Sequence, residues 1–450
     1  MIAASLLFAV ALGQEMAPAA AGNLEGRPSP SALSPLQARI DAAPEGAVIE
    51  VGPGTYRGDL FLDRRVTVLG RERPRLVGSG TGSVVRVRAA GAAIDGFDID
   101  GGGGGDLGRD ASGIHVAAKN VTVRNCRIVN ALFGIYLREA DGAVVEHCEV
   151  RGIPGRDPGE KGSGIHVWNT DGFRLTGNVV SDARDGFYIQ SSPHGTITGN
   201  TARDLRFGLH YMFSDDNVFE DNTFSNDAAG TALMYSKRIV FHRNRFLHNR
   251  GFASVGLLFK ACDDVTADSN LIADNARGIF LEGSYRCLFT GNVIAESDVA
   301  VVLYDSCGGV VLRGNSFVAN LTPLTLVGRR TDTNFDGNYW SGSDEPDLDG
   351  DGFSDRPYPL TSVFDHFRGN LTAADLFTAG FAASALGAAE RAFPVLEPST
   401  VEDRRPLARP PSLPGVPRAP EVPRAAHAAG LLASAAVMGL GAAGLWRGRR

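Results

Sequence analysis

Helical periodicity is missing from the middle of this chain. No stretch inside 60–327 keeps apolar residues at 3,4 spacing for long, which excludes an α-helical domain there. Leucine at fixed positions is missing as well, which excludes a leucine-rich repeat. Positive charge is short: 44 Lys and Arg against 51 Asp and Glu leave a net charge of −7, so no nucleic-acid footprint is expected. Sulfur is scarce, with 5 Cys and 5 Met in 450 residues. That scarcity makes position informative. Met1 starts the chain, Met16 lies in the leader and Met438 in a C-terminal apolar run, so only Met212 and Met234 belong to the body.

Glycine is abundant instead, at 56 residues, and its placing is regular. A Gly-apolar-X-apolar tetrapeptide begins at Gly164, Gly186, Gly208 and Gly230, each 22 residues after the last, and resumes at Gly256 and Gly278. An Asn follows each of these glycines by 14 residues, at Asn178, Asn200, Asn222, Asn244, Asn270 and Asn292. The frame extends back through Gly134 and Gly113, with an insertion at 153–161, and fades forward near Leu324. A fixed period of this kind marks a stacked repeat. The short β-rich runs, such as Thr196–Thr198 before Gly199 and Asn200, read as strands bounded by turn residues. About 22 residues is too few for a propeller blade of about 40. The predicted fold is therefore all-β, a right-handed parallel β-helix with one coil per repeat and strands stacked about 4.8 Å apart. Asn suits its column because it tolerates the left-handed turn and its amide can bond from coil to coil.

The ends carry other signals. Residues 1–22 read as a signal peptide, apolar over 2–12 and then small residues, though no Lys or Arg precedes the apolar run. Residues 31–60 read as an N-terminal cap, with Ser34 and Pro35 opening a helix before a strand at 48–51. The repeats occupy 61–330. An Asp-rich loop and a C-terminal cap follow over 331–395, with an Ala-rich helix expected at 371–393. A Pro-rich tether covers 396–427. Residues 428–446 are long and apolar enough to span a bilayer, and the basic end after them should stay cytoplasmic. The expected location is the periplasmic side of an inner membrane, anchored by that helix. Cys126 and Cys148 stand 22 apart in the Asn column, at a spacing a disulfide can bridge, although parallel side-chain vectors oppose it.

Two constellations carry chemistry. In the tetrapeptide the second and fourth residues face the core and X faces out. The outward column runs His115, Tyr136, His166, Tyr188, His210, Ala232, Leu258, Phe280, and its neighbour Ala117, Arg138, Trp168, Gln190, Met212, Met234, Lys260, Glu282. Aromatics, His and Met are unusual for a solvated face and mark a binding surface, with His166, Trp168, Tyr188 and Tyr235 as candidate docking residues. His210 and Met212 share a face, and Met234 stacks on Met212. Thioethers with an imidazole form a soft ligand set suited to Cu(I). The alternatives are two methionines packing as filler, a groove for polysaccharide, and a scaffold that only docks proteins. The column holds no neighbouring carboxylate pair, as glycosidic hydrolysis requires. The second constellation is Asp347, Asp349, Asp351 and Asp355 with Gly352 between, the first nine positions of a calcium loop. Tyr358 stands where the loop needs Glu. Asp344 or Glu345 is available to complete a ligand set, and the alternative is a solvated acidic turn.

Certain runs resemble the NosD family: Gly208-Leu-His-Tyr-Met-Phe-Ser-Asp-Asp-Asn, Gly230-Thr-Ala-Leu-Met-Tyr-Ser-Lys-Arg-Ile, Asn338-Tyr-Trp with Asp347-Leu-Asp-Gly-Asp-Gly, and Ala389-Glu-Arg-Ala-Phe-Pro. The likeness covers about 35–395. The coils also resemble the wider class of carbohydrate-binding and sugar-hydrolase β-helix repeats. The NosD resemblance implies a non-enzymatic periplasmic accessory role in assembling the copper cluster of nitrous oxide reductase. It implies an ABC-type ATPase, its membrane permease and a copper-chaperone lipoprotein as partners, with transient copper on His210, Met212 and Met234.

Overall fold

The computed structural model describes residues 34–411, apart from 81, 105–110, 252, 329–330, 344–345 and 361–400. The signal segment, the helix expected at 371–393 and the membrane helix expected at 428–446 lie outside the described residues. Among the described residues no helix is long and apolar enough to cross a membrane.

The chain winds as a parallel β-solenoid of the right-handed type, about 22 residues per coil. Three sheets run along it. The first begins at Val48–Val51 and has 15 strands, the second begins at Thr55–Arg57 and has 13, and the third begins at Leu60–Leu62 and has 12. Among the described residues each complete coil contributes one strand to each sheet, and the coil-to-coil pairings are parallel. Coil stacking runs past the fading of the glycine frame. Asn334–Asp336 and Tyr339–Trp340 make one more coil, and Glu402–Asp403 then joins the first sheet. At the other end Pro35–Ala42 is a helix, with Ser34 Oγ accepting from Gln37 N and Pro35 in the first turn, and Leu36 and Ile40 cover the opening coil.

Inward residues form one continuous core, in which columns of like residues stack. Phe219 lies on Phe241 at 4.7 Å and Phe224 on Phe246 at 5.5 Å. The asparagines lie inside too, at the corner between the first and second sheets, and they are fully buried. Asn200 donates from N and Nδ2 to Asn222 Oδ1 at 2.9 and 3.0 Å, and Asn222 does the same to Asn244. Each Nδ2 also reaches a carbonyl of the previous coil, as Asn222 does to Ile197 O at 2.8 Å. The ladder starts at Cys148 N and ends at Asp403. A second ladder, of serines, follows the third sheet: Ser192 N donates to Ser214 Oγ and Ser214 N to Ser236 Oγ.

Cys126 and Cys148 carry free thiols at the head of the Asn column, and all five cysteines are free and buried. Interaction with the neighbouring Cys126 thiol, together with burial, pushes the Cys148 thiol up.

A ladder asparagine is expensive to delete, because its neighbours cannot reach water. Asn222→Ala leaves Asn200 N without its acceptor and takes the side-chain donor from Ile197 O, whereas Asn200 Nδ2 keeps Leu175 O and Thr198 O. At roughly 1–3 kcal/mol for each buried group left unpaired, the expected loss is about 2 kcal/mol or more, read by urea unfolding. A loss below about 1 kcal/mol would mean that the ladder adds little.

Candidate metal centre

The outer face of the third sheet is built around its glycines. A Cβ on Gly186 would sit 2.5 Å from Gly208 O, and one on Gly208 2.7 Å from Gly230 O, so no side chain fits this column. Strand pairing passes over these glycines, joining Asp185 to Phe207 and then Phe187 to Leu209. The backbone bends there and strict alternation fails. The residue before each glycine therefore shares the outer face with the second residue after it. Phe207 lies 5.2 Å from the His210 ring, and Phe133 lies 5.4 Å from His166.

The outward column forms a continuous stack of rings. Centroids are 5.1 Å apart from His115 to Tyr136, 4.4 Å to His166, 4.4 Å to Tyr188 and 4.8 Å to His210. His115, Tyr136, His166 and Tyr188 are nearly sealed from water. Burial pushes the His115 imidazole down to about 4, with Arg138 and Arg86 adding to it. Burial, then Arg184, pushes His166 down to about 3. Both rings are thus neutral at ordinary pH, and each keeps a buried nitrogen without a hydrogen bond, Nε2 of His115 and Nδ1 of His166. Trp168 is half-buried in the neighbouring column, with Arg138 5.1 Å over its ring. Tyr188 donates to Gln190 Oε1 at 2.8 Å, which fills the coil between Trp168 and Met212.

The stack ends at His210, where the next coil places Ala232. Here the structure gathers His210, Met212 and Met234. Met212 pairs with Met234 in register, so the two side chains start about 4.8 Å apart on one face. Met212 is half-buried and Met234 buried. The serine ladder anchors both strands, with Ser214 Oγ donating to Met212 O at 2.9 Å and Ser236 Oγ to Met234 O at 2.8 Å. His210 Nδ1 lies 3.3 Å from Asp185 Oδ2. Arg206 clamps that carboxylate with two hydrogen bonds, at 2.9 and 2.7 Å, and lies 4.4 Å over the Phe207 ring. Burial opposes the charge on Asp185, but His210 and Arg206 outweigh it and hold the carboxyl well below the usual range.

Immediately after the two methionines, the turn places Phe213 and Tyr235 in the left-handed region, at φ 50° and 53°. The same position elsewhere holds Asn169, Ser191, Ala261 and Gly283. Bulky side chains are uncommon there. Phe213 and Tyr235 are 53% and 49% exposed, and they stack on each other at 5.2 Å. Sequence reasoning missed Asp185, Arg206, Phe207 and Phe213. One signal was available for Asp185: it is the only acidic residue in the row before the glycines, which reads Phe133, Ser163, Asp185, Phe207, Ala229, Val255 and Arg277.

In the acidic loop, carboxylate oxygens of Asp347, Asp349 and Asp351 lie within 4.8 Å of one another. Asp355 stands apart from that group and accepts from Leu348 N at 2.7 Å. Tyr358 packs on Trp340 at 5.3 Å instead of facing the loop.

These features define a parallel β-solenoid with an imidazole and two thioethers gathered on one outer face. The family model described as "Periplasmic copper-binding protein (NosD)" matches residues 151–346. A "Probable ABC transporter binding protein NosD" from Pseudomonas aeruginosa is 32% identical over 374 residues, covering 80% of this chain and 87% of that protein. A protein of the same description from Stutzerimonas stutzeri is 30% identical over 379 residues, covering 80% and 86%. The chain belongs to the NosD family. Among solved structures, the A-modules of the Azotobacter vinelandii mannuronan C-5 epimerases AlgE4 and AlgE6 share the fold. Their TM-scores are 0.54 and 0.56 at 16% and 17% identity, covering 66% and 67% of this chain and 94% and 93% of theirs.

The sealed histidines set a pH dependence. Unfolded, they titrate near 6.5. Folded, they bind protons only near 4 and 3. As pH falls below 6.5 the unfolded chain takes up protons that the folded chain refuses, so stability falls with pH. His166→Phe should flatten this acid limb in urea unfolding between about pH 6.5 and 4. An unchanged slope would place the acid sensitivity elsewhere.

Proposed function

We propose that this protein is a non-enzymatic copper-handling accessory of the periplasm, working with an ABC transporter to mature the copper site of nitrous oxide reductase. The observation that carries the reading is the in-register pair Met212 and Met234 beside His210, on a chain of the NosD family. Thioether and neutral imidazole donors fit Cu(I), which prefers soft ligands, and poorly fit the harder divalent cations. Copper is cargo here, held transiently. A partner enters from the side of Phe213 and Tyr235, whose exposed rings flank both methionines. The partners in this reading are the transporter's ATPase and permease subunits, a copper-chaperone lipoprotein and the reductase. Export by residues 1–22 and anchoring by residues 428–446 keep the solenoid beside the transporter.

A polysaccharide-binding or polysaccharide-modifying role draws on the same aromatic column. Its rings from His115 to Tyr188 are nearly sealed and leave little face for a sugar to stack on. The carboxylate in that stack, Asp185, is engaged by Arg206 and His210, whereas glycosidic hydrolysis uses two carboxylates. Copper handling is the better reading.

Cu(I) binding by the full chain, measured by competition against a cuprous chelator, should weaken at least about tenfold in the Met212→Ala, Met234→Ala double variant, equivalent to about 1.4 kcal/mol. Unchanged affinity removes the pair from the proposal. The acidic loop is proposed as a calcium site through Asp347, Asp349, Asp351 and Asp355. Calcium should raise the melting temperature of the wild type and not of Asp349→Asn, Asp351→Asn. An equal rise in both, or none, leaves it a solvated turn.

A further inference from the structure

We infer that Asp185 is a positioning residue that fixes the His210 ring as a metal ligand. The carboxylate holds the ring proton on Nδ1 and so leaves the Nε2 lone pair free. The purpose of the arrangement rests on the copper reading above, whereas the arrangement itself does not.

Asp185 is completely buried in the row before the glycines, where the coils on either side place Ser163 and Phe207. Burying a carboxylate there is costly unless it is paired and hydrogen-bonded. Arg206 supplies the pairing with its two-point clamp, and Arg184 Nε approaches Oδ2 at 3.5 Å. An ion pair alone needs nothing from His210. Yet Oδ2, the oxygen that takes the shorter Arg206 bond, is also the one facing His210 Nδ1. An ionised carboxylate only accepts, so the facing imidazole nitrogen must carry the proton. In the neutral ring that leaves Nε2 as the sole lone pair. The ring cannot turn away, because the Tyr188 edge at 4.8 Å and Phe207 at 5.2 Å hold it on both sides.

The other two histidines of the column supply the contrast. His115 and His166 also carry an unbonded nitrogen, but it is sealed from solvent, and neither ring is hydrogen-bonded to a carboxylate among the described residues. Of the three histidines in this column, His210 alone combines a carboxylate partner with an opening, its side chain keeping 11% exposure. It also shares its strand with Met212. A carboxylate behind the distal nitrogen is the usual way a ligating imidazole is held in one tautomer and made more basic.

The test uses Asp185→Ala, which removes the acceptor that faces Nδ1, beside Asp185→Asn, whose carbonyl oxygen keeps the Oδ2 position on which Arg206, Arg184 and His210 converge. Nitrogen NMR of the full chain with labelled histidine, without metal and at alkaline pH, should show the His210 proton on Nδ1 in the wild type and in Asp185→Asn, and spread over both nitrogens in Asp185→Ala. Cu(I) affinity should fall at least about 10-fold in Asp185→Ala and less in Asp185→Asn. A wild-type ring protonated on Nε2 overturns the assignment. So does a folded Asp185→Ala with wild-type tautomer and wild-type Cu(I) affinity. If the wild type binds no Cu(I) the copper reading fails, and the wild-type tautomer alone then decides the role of Asp185. That last measurement needs no variant and stands even if Asp185→Ala does not fold.

Discussion

The buried ladder of asparagine amides is the constraint on which the rest of this molecule depends. Each Asn must receive two hydrogens from the coil before it and pass two to the coil after it. A buried amide cannot fall back on water, so neither the spacing nor the phase of adjacent coils can slip. The coil with four extra residues shows the strength of the constraint. Asn244 still meets Asn270 at 2.8 and 3.1 Å, 26 residues on, and the surplus is absorbed around Arg250, which bridges to Asp274 and Asp298 at the surface. The ladder also has to stop. Asp403 arrives from far along the chain and accepts from Asn338 N, Asn338 Nδ2 and Trp340 Nε1, the donors that the last coil would otherwise leave unpaired.

A rigid register turns the outer face of the third sheet into a set of straight columns, and the candidate site lies where two columns change character. Upstream the rings from His115 to His210 stack without a gap. Downstream Ala229, Ala232, Val255 and Leu258 pack with Phe207 into a small apolar patch outside the main core. His210, Met212 and Met234 sit at this junction, walled by rings on one side and aliphatic groups on the other. Such walls keep water from the junction, while the partial exposure of Met212 leaves it open on one side.

The repeat made much of this legible. Counting by 22 is equivalent to moving one strand spacing along the solenoid, so the adjacency of Met212 and Met234, the stacking of His166, Tyr188 and His210, and the asparagine column could all be read from the chain. The count carries less information where the backbone leaves the period. It assigned no face to the residue before each glycine, and the bend at the glycine column puts Asp185 and Phe207 outside. It treated the aromatic column as open, whereas packing along the stack seals four of its members. The acidic loop matched a calcium pattern for nine positions, but its tenth to twelfth residues run into a strand that packs on Trp340.

Sequence by itself determined the period, the sheet register, the family and the two methionines as a pair, because stacked repeats convert separation along the chain into separation in space. Only the tertiary structure decided which groups stand behind those side chains. The partnership of Asp185 with His210 and Arg206 depends on a backbone bend forced by glycines too crowded for a Cβ. The exposure of Phe213 and Tyr235 depends on a left-handed turn. The closing of the ladder by Asp403 depends on a contact 65 residues away. The separations of 21 and 25 residues around Asp185 and of 65 to Asp403 are not multiples of the repeat, and a backbone turn is not a separation at all, so none of the three could be read from it.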